Sequence, residues 1–124
     1  MPVRVHGFVE TMAQFMAASD LVVSKAGGLT VSEALASGKP LVLYHVVPGQ
    51  EELNARYVEE HEAGVIARRP GQAAAAVAGW LSDPGRLARM RGGAEALSRP
   101  HAARDIVERV MKPLVSRKSE VRSP

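Results

Sequence analysis

Two short apolar runs with a helix-patterned segment between them place the strongest constraint on the fold of this chain. Residues 21–23 are continuously apolar and residues 41–47 are mostly so, as expected for strands buried on both faces. The segment between them has apolar side chains at helical spacing, followed by Gly38 and Pro40, which commonly end helices. This order predicts a βαβ unit with parallel strands and a right-handed crossover.

The same alternation continues on both sides of this unit. Residues 3–9 alternate between apolar and polar and predict a strand, followed by a helix after Thr11, and residues 65–68 predict a strand after a helix over about 50–62. Beyond Pro70 the pattern is helical to about residue 115, whereas residues 116–124 lack periodicity and predict a disordered tail. We therefore expect one α/β domain over residues 1–115, with about four parallel strands, flanking helices and a helical C-terminal end.

The composition excludes several classes of site. The chain has no cysteine, which rules out a disulfide framework and a thiolate metal site. Its four histidines lack the spacing of metal ligands or of a catalytic triad, so no metal is expected, and only His45, near the end of a predicted strand, merits a test. The formal charge of +3 comes with only 4% aromatic residues, so nucleic-acid binding is not expected, and an anionic membrane surface fits the charge better.

Hydropathy predicts no transmembrane segment. The longest apolar runs are well short of the roughly 18 residues that span a bilayer. The N-terminus also lacks the basic and then apolar order of a signal peptide. We therefore expect a cytoplasmic protein.

A pair of glycines, Gly27 and Gly28, stands where the first run of the βαβ unit gives way to its helix. The pattern matches neither a dinucleotide-binding motif nor a P-loop. Unpaired N–H groups at a helix N-terminus can bind a phosphate, and glycines let the phosphate approach without meeting a Cβ. A tight turn that binds nothing would use the same residues. The stretch alone leaves both interpretations open.

Polar residues near this edge also have two interpretations. Thr30 and Glu33 have the spacing of a capping box, in which Thr30 would be the N-cap, but Glu33 could instead accept hydrogen bonds from the hydroxyls of a ribose. After the second run, the stretch PGQEELNA opens a helix with Gln50 and Glu51. Acidic residues there favour the helix dipole, and the same amide and carboxylate groups could bind sugar hydroxyls.

Together these stretches resemble the C-terminal domain of glycosyltransferase family 28. This family contains monogalactosyldiacylglycerol synthases, processive diacylglycerol glucosyltransferases and the peptidoglycan glycosyltransferase MurG. The resemblance extends over nearly the whole chain, from GFVETMAQFMAASDLVVSKAGGLTVSEALASGKPLVL through PGQEELNARYVEEHEAG to RPHAARDIV. It implies part of the Rossmann-like lobe of a GT-B fold, the lobe that holds a UDP-sugar donor.

Carried over position by position, the resemblance implies ten donor-binding residues: Phe8, Val9, Met12, Gly27, Gly28, Leu29, Thr30, Glu33, Gln50 and Glu51. The first three would lie at the uracil, and the next four would face the diphosphate and the sugar. Glu33 would bind the ribose hydroxyls, and the last two residues would contact the hexose. Glu52 and Asn54 are weaker candidates for the hexose, and no catalytic residue is implied on this chain.

The resemblance further implies inverting transfer of a hexose from UDP to a lipid acceptor such as diacylglycerol, without a cofactor or an obligatory metal in this lobe. In the family an N-terminal lobe supplies the acceptor site, the membrane-docking surface and the general base. Nothing in the chain corresponds to it, so we expect an N-terminally truncated lobe that is a fragment or half of a split, membrane-associated enzyme. The alternative is a non-catalytic nucleotide-sugar-binding module or a degenerate fragment.

Overall fold

A computed structural model of the chain describes residues 2–121. The described residues form three strands and seven α-helices. Strands and helices alternate as far as β3, and only helices follow. The elements are α1 (Met12–Ala18), β1 (Val22–Ser24), α2 (Gly28–Ala36), β2 (Leu41–Tyr44), α3 (Gln50–Glu60), β3 (Gly64–Ala67), α4 (Gln72–Ser82), α5 (Pro84–Leu97), α6 (Ala102–Ile106) and α7 (Lys112–Val121). A π-helical turn, Val107–Met111, joins α6 to α7. The α/β class and the helical C-terminal end are confirmed.

The three strands form one parallel sheet in the order β1-β2-β3. Val22 lies opposite Leu41, and Val42 lies opposite Val65, so β2 is paired on both sides. Helix α2 connects β1 to β2 and α3 connects β2 to β3, as the predicted βαβ units require. The C-terminal ends of all three strands therefore meet at one edge of the sheet.

The core lies on both faces of β2. Leu41 and Leu43 are fully buried in a cluster with residues of α2, α3 and α5. Val42, which strand alternation places on the opposite face, is also fully buried but lies outside that cluster. Trp80 of α4 has no exposed surface, and α4 packs against β2 and β3, so Trp80 anchors that helix on the sheet.

The predicted first strand is wrong. Residues 3–9 form no strand, and most of their apolar side chains are open to solvent, with Val5 91% and Phe8 96% exposed. A strand needs a neighbour to satisfy its backbone N–H and C=O groups. Within residues 2–121, β1 pairs only with β2, and no strand pairs with residues 3–9. An alternating pattern is therefore not sufficient, and the sheet has three strands instead of about four.

The C-terminal helical segment presents apolar side chains to solvent. Six of them are 50% to 63% exposed: Ile106, Val107, Val110, Met111, Leu114 and Val115. Residues 116–124, for which a disordered tail is predicted, begin inside α7, and residues 122–124 lie outside the described part of the chain. No helix among the described residues is long and apolar enough to cross a membrane.

Candidate functional site

The loop after β1 and the first residue of α2, residues 25–28, form what we call the glycine turn. Helix α2 begins at Gly28, and Gly27 is its N-cap. The first intrahelical bond runs from Val31 N to the Gly27 carbonyl at 3.0 Å. The preceding N–H groups, those of residues 28–30, have no partner in the described structure, as is usual at a helix N-terminus. Three donors at the positive end of the α2 dipole thus remain available to an anion.

Neither glycine of the pair is required by the turn itself. Gly27 has φ −64° and ψ 138°, a conformation that any residue adopts, and Gly28 also lacks a positive φ. A Cβ added at Gly27 would meet no atom within 4 Å, and one added at Gly28 would meet only Asn54 Nδ2, at 3.9 Å. The space in front of the pair is therefore open, and the interpretation of a merely tight turn loses its physical basis.

The predicted capping box is wrong. Because α2 begins at Gly28, Thr30 lies within the first turn instead of at the N-cap, and the N-cap makes no side-chain hydrogen bond. Glu33 is consequently one turn further along the helix than a reciprocal cap requires. Its carboxylate is exposed and has no hydrogen bond or ion pair within the described residues. The capping role, which was the alternative to ribose binding for Glu33, is thereby removed.

The start of α3 brings a second set of polar groups to the same edge. Gly49, with φ 104°, precedes the helix, and Gln50 is its first residue. The Glu51 carboxylate accepts a hydrogen bond from Val47 N at 3.1 Å and so closes the loop after β2. Glu52 instead pairs with Arg56 at 2.7 Å, one turn along the helix. Of these three residues, Gln50 is the one that bonds neither to the loop after β2 nor to Arg56.

Asn54 joins the two sets. Its Nδ2 donates to the Ala26 carbonyl in the glycine turn at 3.0 Å, and its Oδ1 accepts from Gln50 Nε2 at 3.3 Å. The first bond is partly buried and links residues 28 positions apart in the chain. The motifs that are separate in sequence thus form one connected site at the sheet edge, as the parallel topology predicts.

The residues implied at the uracil are less closely connected to this site. Phe8 is almost fully exposed, Met12 is about half exposed and Val9 is partly buried. Helix α1, which contains Met12, packs against α2. No hydrogen bond joins these three residues to the glycine turn in the part of the chain that the structure describes. Their role stays a prediction.

A cleft of about 380 Å³ opens beyond the C-terminal ends of β2 and β3. His45, Glu52 and Arg68 line it, and His45 has a left-handed backbone with φ 49°, which is uncommon for a residue other than glycine. Arg68 was not singled out from the sequence, although its position directly after β3 is a usable signal. The described residues contain no group of three or more acidic, histidine or cysteine side chains that could hold a metal ion.

Comparison with known proteins decides which family this arrangement belongs to. The model of the glycosyltransferase family 28 C-terminal domain matches residues 1–74. This chain belongs to glycosyltransferase family 28. All ten residues implied at the donor lie within the match, which also includes Asn54 and the whole glycine turn.

Two relatives show how much of a family 28 protein this chain represents. Monogalactosyldiacylglycerol synthase 3 of Arabidopsis thaliana is 42% identical over 109 residues, which are 87% of this chain and 23% of the relative. Processive diacylglycerol beta-glucosyltransferase of Bacillus subtilis (strain 168) is 33% identical over 109 residues, 88% of this chain and 28% of the relative. The chain thus spans about a quarter of the length of these family 28 relatives.

A solved structure supports the same fold. The crystal structure of the glycotransferase of kitacinnamycin aligns with a TM-score of 0.60 and 26% identity, over 86% of this chain and 29% of that chain. The three-stranded parallel sheet, its flanking helices and the helical end accordingly correspond to part of a GT-B lobe in this family 28 chain.

Proposed function

We propose that this chain provides the donor site of a UDP-sugar-dependent hexosyltransferase that makes glycolipids. The observation that carries the proposal is the glycine pair at the start of α2, which neither backbone conformation nor packing requires. A helix N-terminus with free N–H groups and no side chain in front of it suits a diphosphate. Two relatives are named for the synthesis of monogalactosyldiacylglycerol and for processive glucosylation of diacylglycerol. These names support a hexose as the sugar and a diacylglycerol-like lipid as the acceptor.

The proposed roles follow from the chemistry of each group. The N–H groups of residues 28–30 bind the diphosphate, with Gly27 leaving room for it and the Thr30 hydroxyl adding a polar contact. Glu33 accepts hydrogen bonds from the vicinal hydroxyls of the ribose, because a carboxylate offers two acceptor oxygens. Gln50 and Glu51 lie at the hexose, and Phe8, Val9 and Met12 lie at the uracil.

The proposed reaction is inverting. An acceptor hydroxyl attacks the anomeric carbon, the bond to the UDP oxygen breaks, and the negative charge that develops on the diphosphate is stabilised by the α2 N-terminus. We propose that the general base that takes the proton of the hydroxyl lies on an acceptor lobe, outside these 124 residues. We therefore assign donor binding to this chain and propose that transfer requires that lobe.

Calorimetric titration with UDP, UDP-glucose and UDP-galactose tests the donor site. We expect saturable binding of UDP and tighter binding of at least one UDP-hexose. Absence of binding at millimolar concentrations of all three would contradict the proposal. Binding without transfer to a lipid acceptor, even after an acceptor lobe from a relative is added, would favour a non-catalytic binding module.

Glu33→Gln separates ligand binding from stability. Replacing the carboxylate with an amide weakens the hydrogen bonds to the ribose, and we expect UDP affinity to fall by about tenfold, since hydrogen bonds to a charged group contribute about 1.5–3 kcal/mol. The melting temperature should not change, because the Glu33 side chain is exposed and makes no hydrogen bond or ion pair within the described residues. Glu60→Gln, an exposed substitution on α3, is the matched control. Unchanged UDP affinity in Glu33→Gln would remove Glu33 from the site.

We further propose that the protein acts in the cytoplasm and contacts an anionic membrane surface. Residues 102–118 contain five basic and two acidic side chains, and their formal charge of +3 equals that of the whole chain. The same segment carries the six exposed apolar side chains described above. Positive charge together with exposed apolar side chains on one helical segment suits the interface of an anionic bilayer.

Flotation with lipid vesicles tests this contact. We expect the protein to float with vesicles that contain phosphatidylglycerol but not with pure phosphatidylcholine vesicles. Val110→Gln combined with Leu114→Gln should reduce the bound fraction several-fold, because both side chains are half exposed and apolar. Ala102→Gln is the control on the same segment. Equal binding to both kinds of vesicle, or binding to neither, would contradict the contact.

A further inference from the structure

Asn54 occupies the junction between the two halves of the proposed site. It is partly buried on α3, one turn after Gln50, and its side chain makes two hydrogen bonds. One bond reaches the Ala26 carbonyl next to the glycine pair, and the other reaches the Gln50 amide. The Asn54 amide also borders the open space at Gly28, since a Cβ added there would lie 3.9 Å from Nδ2.

The Ala26 carbonyl fixes the orientation of two side-chain amides. A backbone carbonyl only accepts hydrogen bonds, so the NH₂ end of Asn54 must face Ala26. The Oδ1 end then faces Gln50 and can only accept, so Gln50 must turn its own NH₂ end toward Asn54. The Oε1 of Gln50 and one of its N–H groups are left without a partner among the described residues. Gln50 thus offers a sugar hydroxyl one acceptor and one donor in a fixed arrangement.

We infer that Asn54 is a positioning residue, which holds the glycine turn against α3 and sets the orientation in which Gln50 meets the donor hexose. This inference rests on the proposed donor site and adds a positioning role to the weaker expectation that Asn54 contacts the hexose. Both polar ends of its amide are already engaged within the protein. The dependence is one-way: Gln50 relies on Asn54 for its orientation, whereas Asn54 relies on the backbone of the glycine turn.

Side-chain amide exchange tests this order of dependence without any ligand. Asn54 is the only asparagine of the chain, and its NH₂ signals in an NMR spectrum are assigned by their loss in Asn54→Ala, as those of Gln50 are by their loss in Gln50→Ala. We expect Gln50→Ala to leave the exchange rate of the Asn54 amide protons with water unchanged. Asn54→Ala should speed the exchange of the Gln50 amide protons by about twofold or more, because their acceptor is lost. An exchange rate of the Gln50 amide protons that is the same in Asn54→Ala as in the wild type would overturn the inference.

Titrations with UDP and a UDP-hexose test the functional consequence. The measured quantity is the ratio of the two affinities, which a purely structural loss would not change selectively. Gln50→Ala should lower the preference for the UDP-hexose by about fivefold, the loss expected for one neutral hydrogen bond. Asn54→Ala should lower this preference by a similar factor, and the double variant should lower it no further, because both changes remove one oriented contact. The Glu60→Gln protein should keep the wild-type ratio.

The outcomes distinguish this inference from the proposed function. If the wild-type protein binds neither nucleotide, the proposed function and the hexose role of Gln50 both fail, and amide exchange still decides whether Asn54 orients Gln50. If UDP binds normally but Asn54→Ala keeps the hexose preference, or its effect adds fully to that of Gln50→Ala, the donor site stands and the inference is overturned.

Discussion

Gly64→Ala is expected to lower the free energy of unfolding by about 3 kcal/mol, the upper end of the usual cost of overfilling a core. Gly64 is the first residue of β3, is buried and pairs with Leu41 of β2. An added Cβ would overlap the Leu41 carbonyl oxygen and approach Val58 Cγ1 to 2.7 Å. The carbonyl belongs to the central strand and cannot move without disturbing the sheet. Urea-induced unfolding followed by circular dichroism measures the change.

Gly27→Ala is the matched control for this prediction. Gly27 also has an extended backbone, but an added Cβ there would meet no atom within 4 Å. The free energy of unfolding should therefore differ from that of the wild type by less than about 1 kcal/mol, since a Cβ at an unstrained position has little or no cost. If Gly64→Ala is as stable as Gly27→Ala, the close packing of β3 against β2 and α3 is not as described.

Gly28→Val is expected to reduce UDP affinity by at least about 100-fold while leaving the fold intact. Phosphate groups approach a helix N-terminus closely only where no side chain intervenes. A Val side chain would occupy the open space at Gly28, and its nearest protein neighbour, Asn54 Nδ2, is 3.9 Å from the new Cβ. Because Gly has a lower helix propensity than Val, the free energy of unfolding should stay within about 1 kcal/mol of the wild-type value. Calorimetric titration and thermal unfolding measure the two quantities on the same sample.

Gly64→Ala and Gly28→Val should thus behave in opposite ways. The first removes stability through a contact inside the protein, and the second removes binding through a contact that exists only with ligand. A Gly28→Val protein that binds UDP as tightly as the wild type would contradict the phosphate role of the glycine turn. The interpretation of Gly27 and Gly28 as a turn that binds nothing would then hold. Loss of fold in the same protein would show that internal packing requires the glycine.

The sequence predicted correctly those parts of the sheet that depend only on residues close together in the chain. The apolar runs at β1, β2 and β3 and the stop signal at Gly38, with φ 66° in the structure, depend on neighbouring residues only. Residues 3–9 have an equally clear alternating pattern but form no strand, because strand pairing needs a partner that a pattern does not supply.

The candidate site was also predictable only in part. The glycine pair and Gln50 were placed at one sheet edge by topology alone. The capping box at Thr30 and Glu33 was wrong because the N-cap of α2 is Gly27, three residues before the predicted Thr30, and residue spacing does not reveal this difference. Gly64 stands just after the predicted end of α3, where a glycine often ends a helix. In the structure the left-handed residue after α3 is Glu62, with φ 52°. Gly64 instead lets β3 pack closely against β2, because a Cβ there would overlap the Leu41 carbonyl.

The sequence by itself determined the parallel α/β class, the sheet edge at which the candidate motifs lie and the family to which the chain belongs. These follow from local periodicity and from motifs whose residues are neighbours in the chain. Only the tertiary structure decided that Gly27 and Gly28 face open space, that Glu33 has no capping role and that Asn54 connects residues 26 and 50. The reason is physical: open space and hydrogen-bond partners depend on where distant segments meet, and this is set by packing of the whole domain.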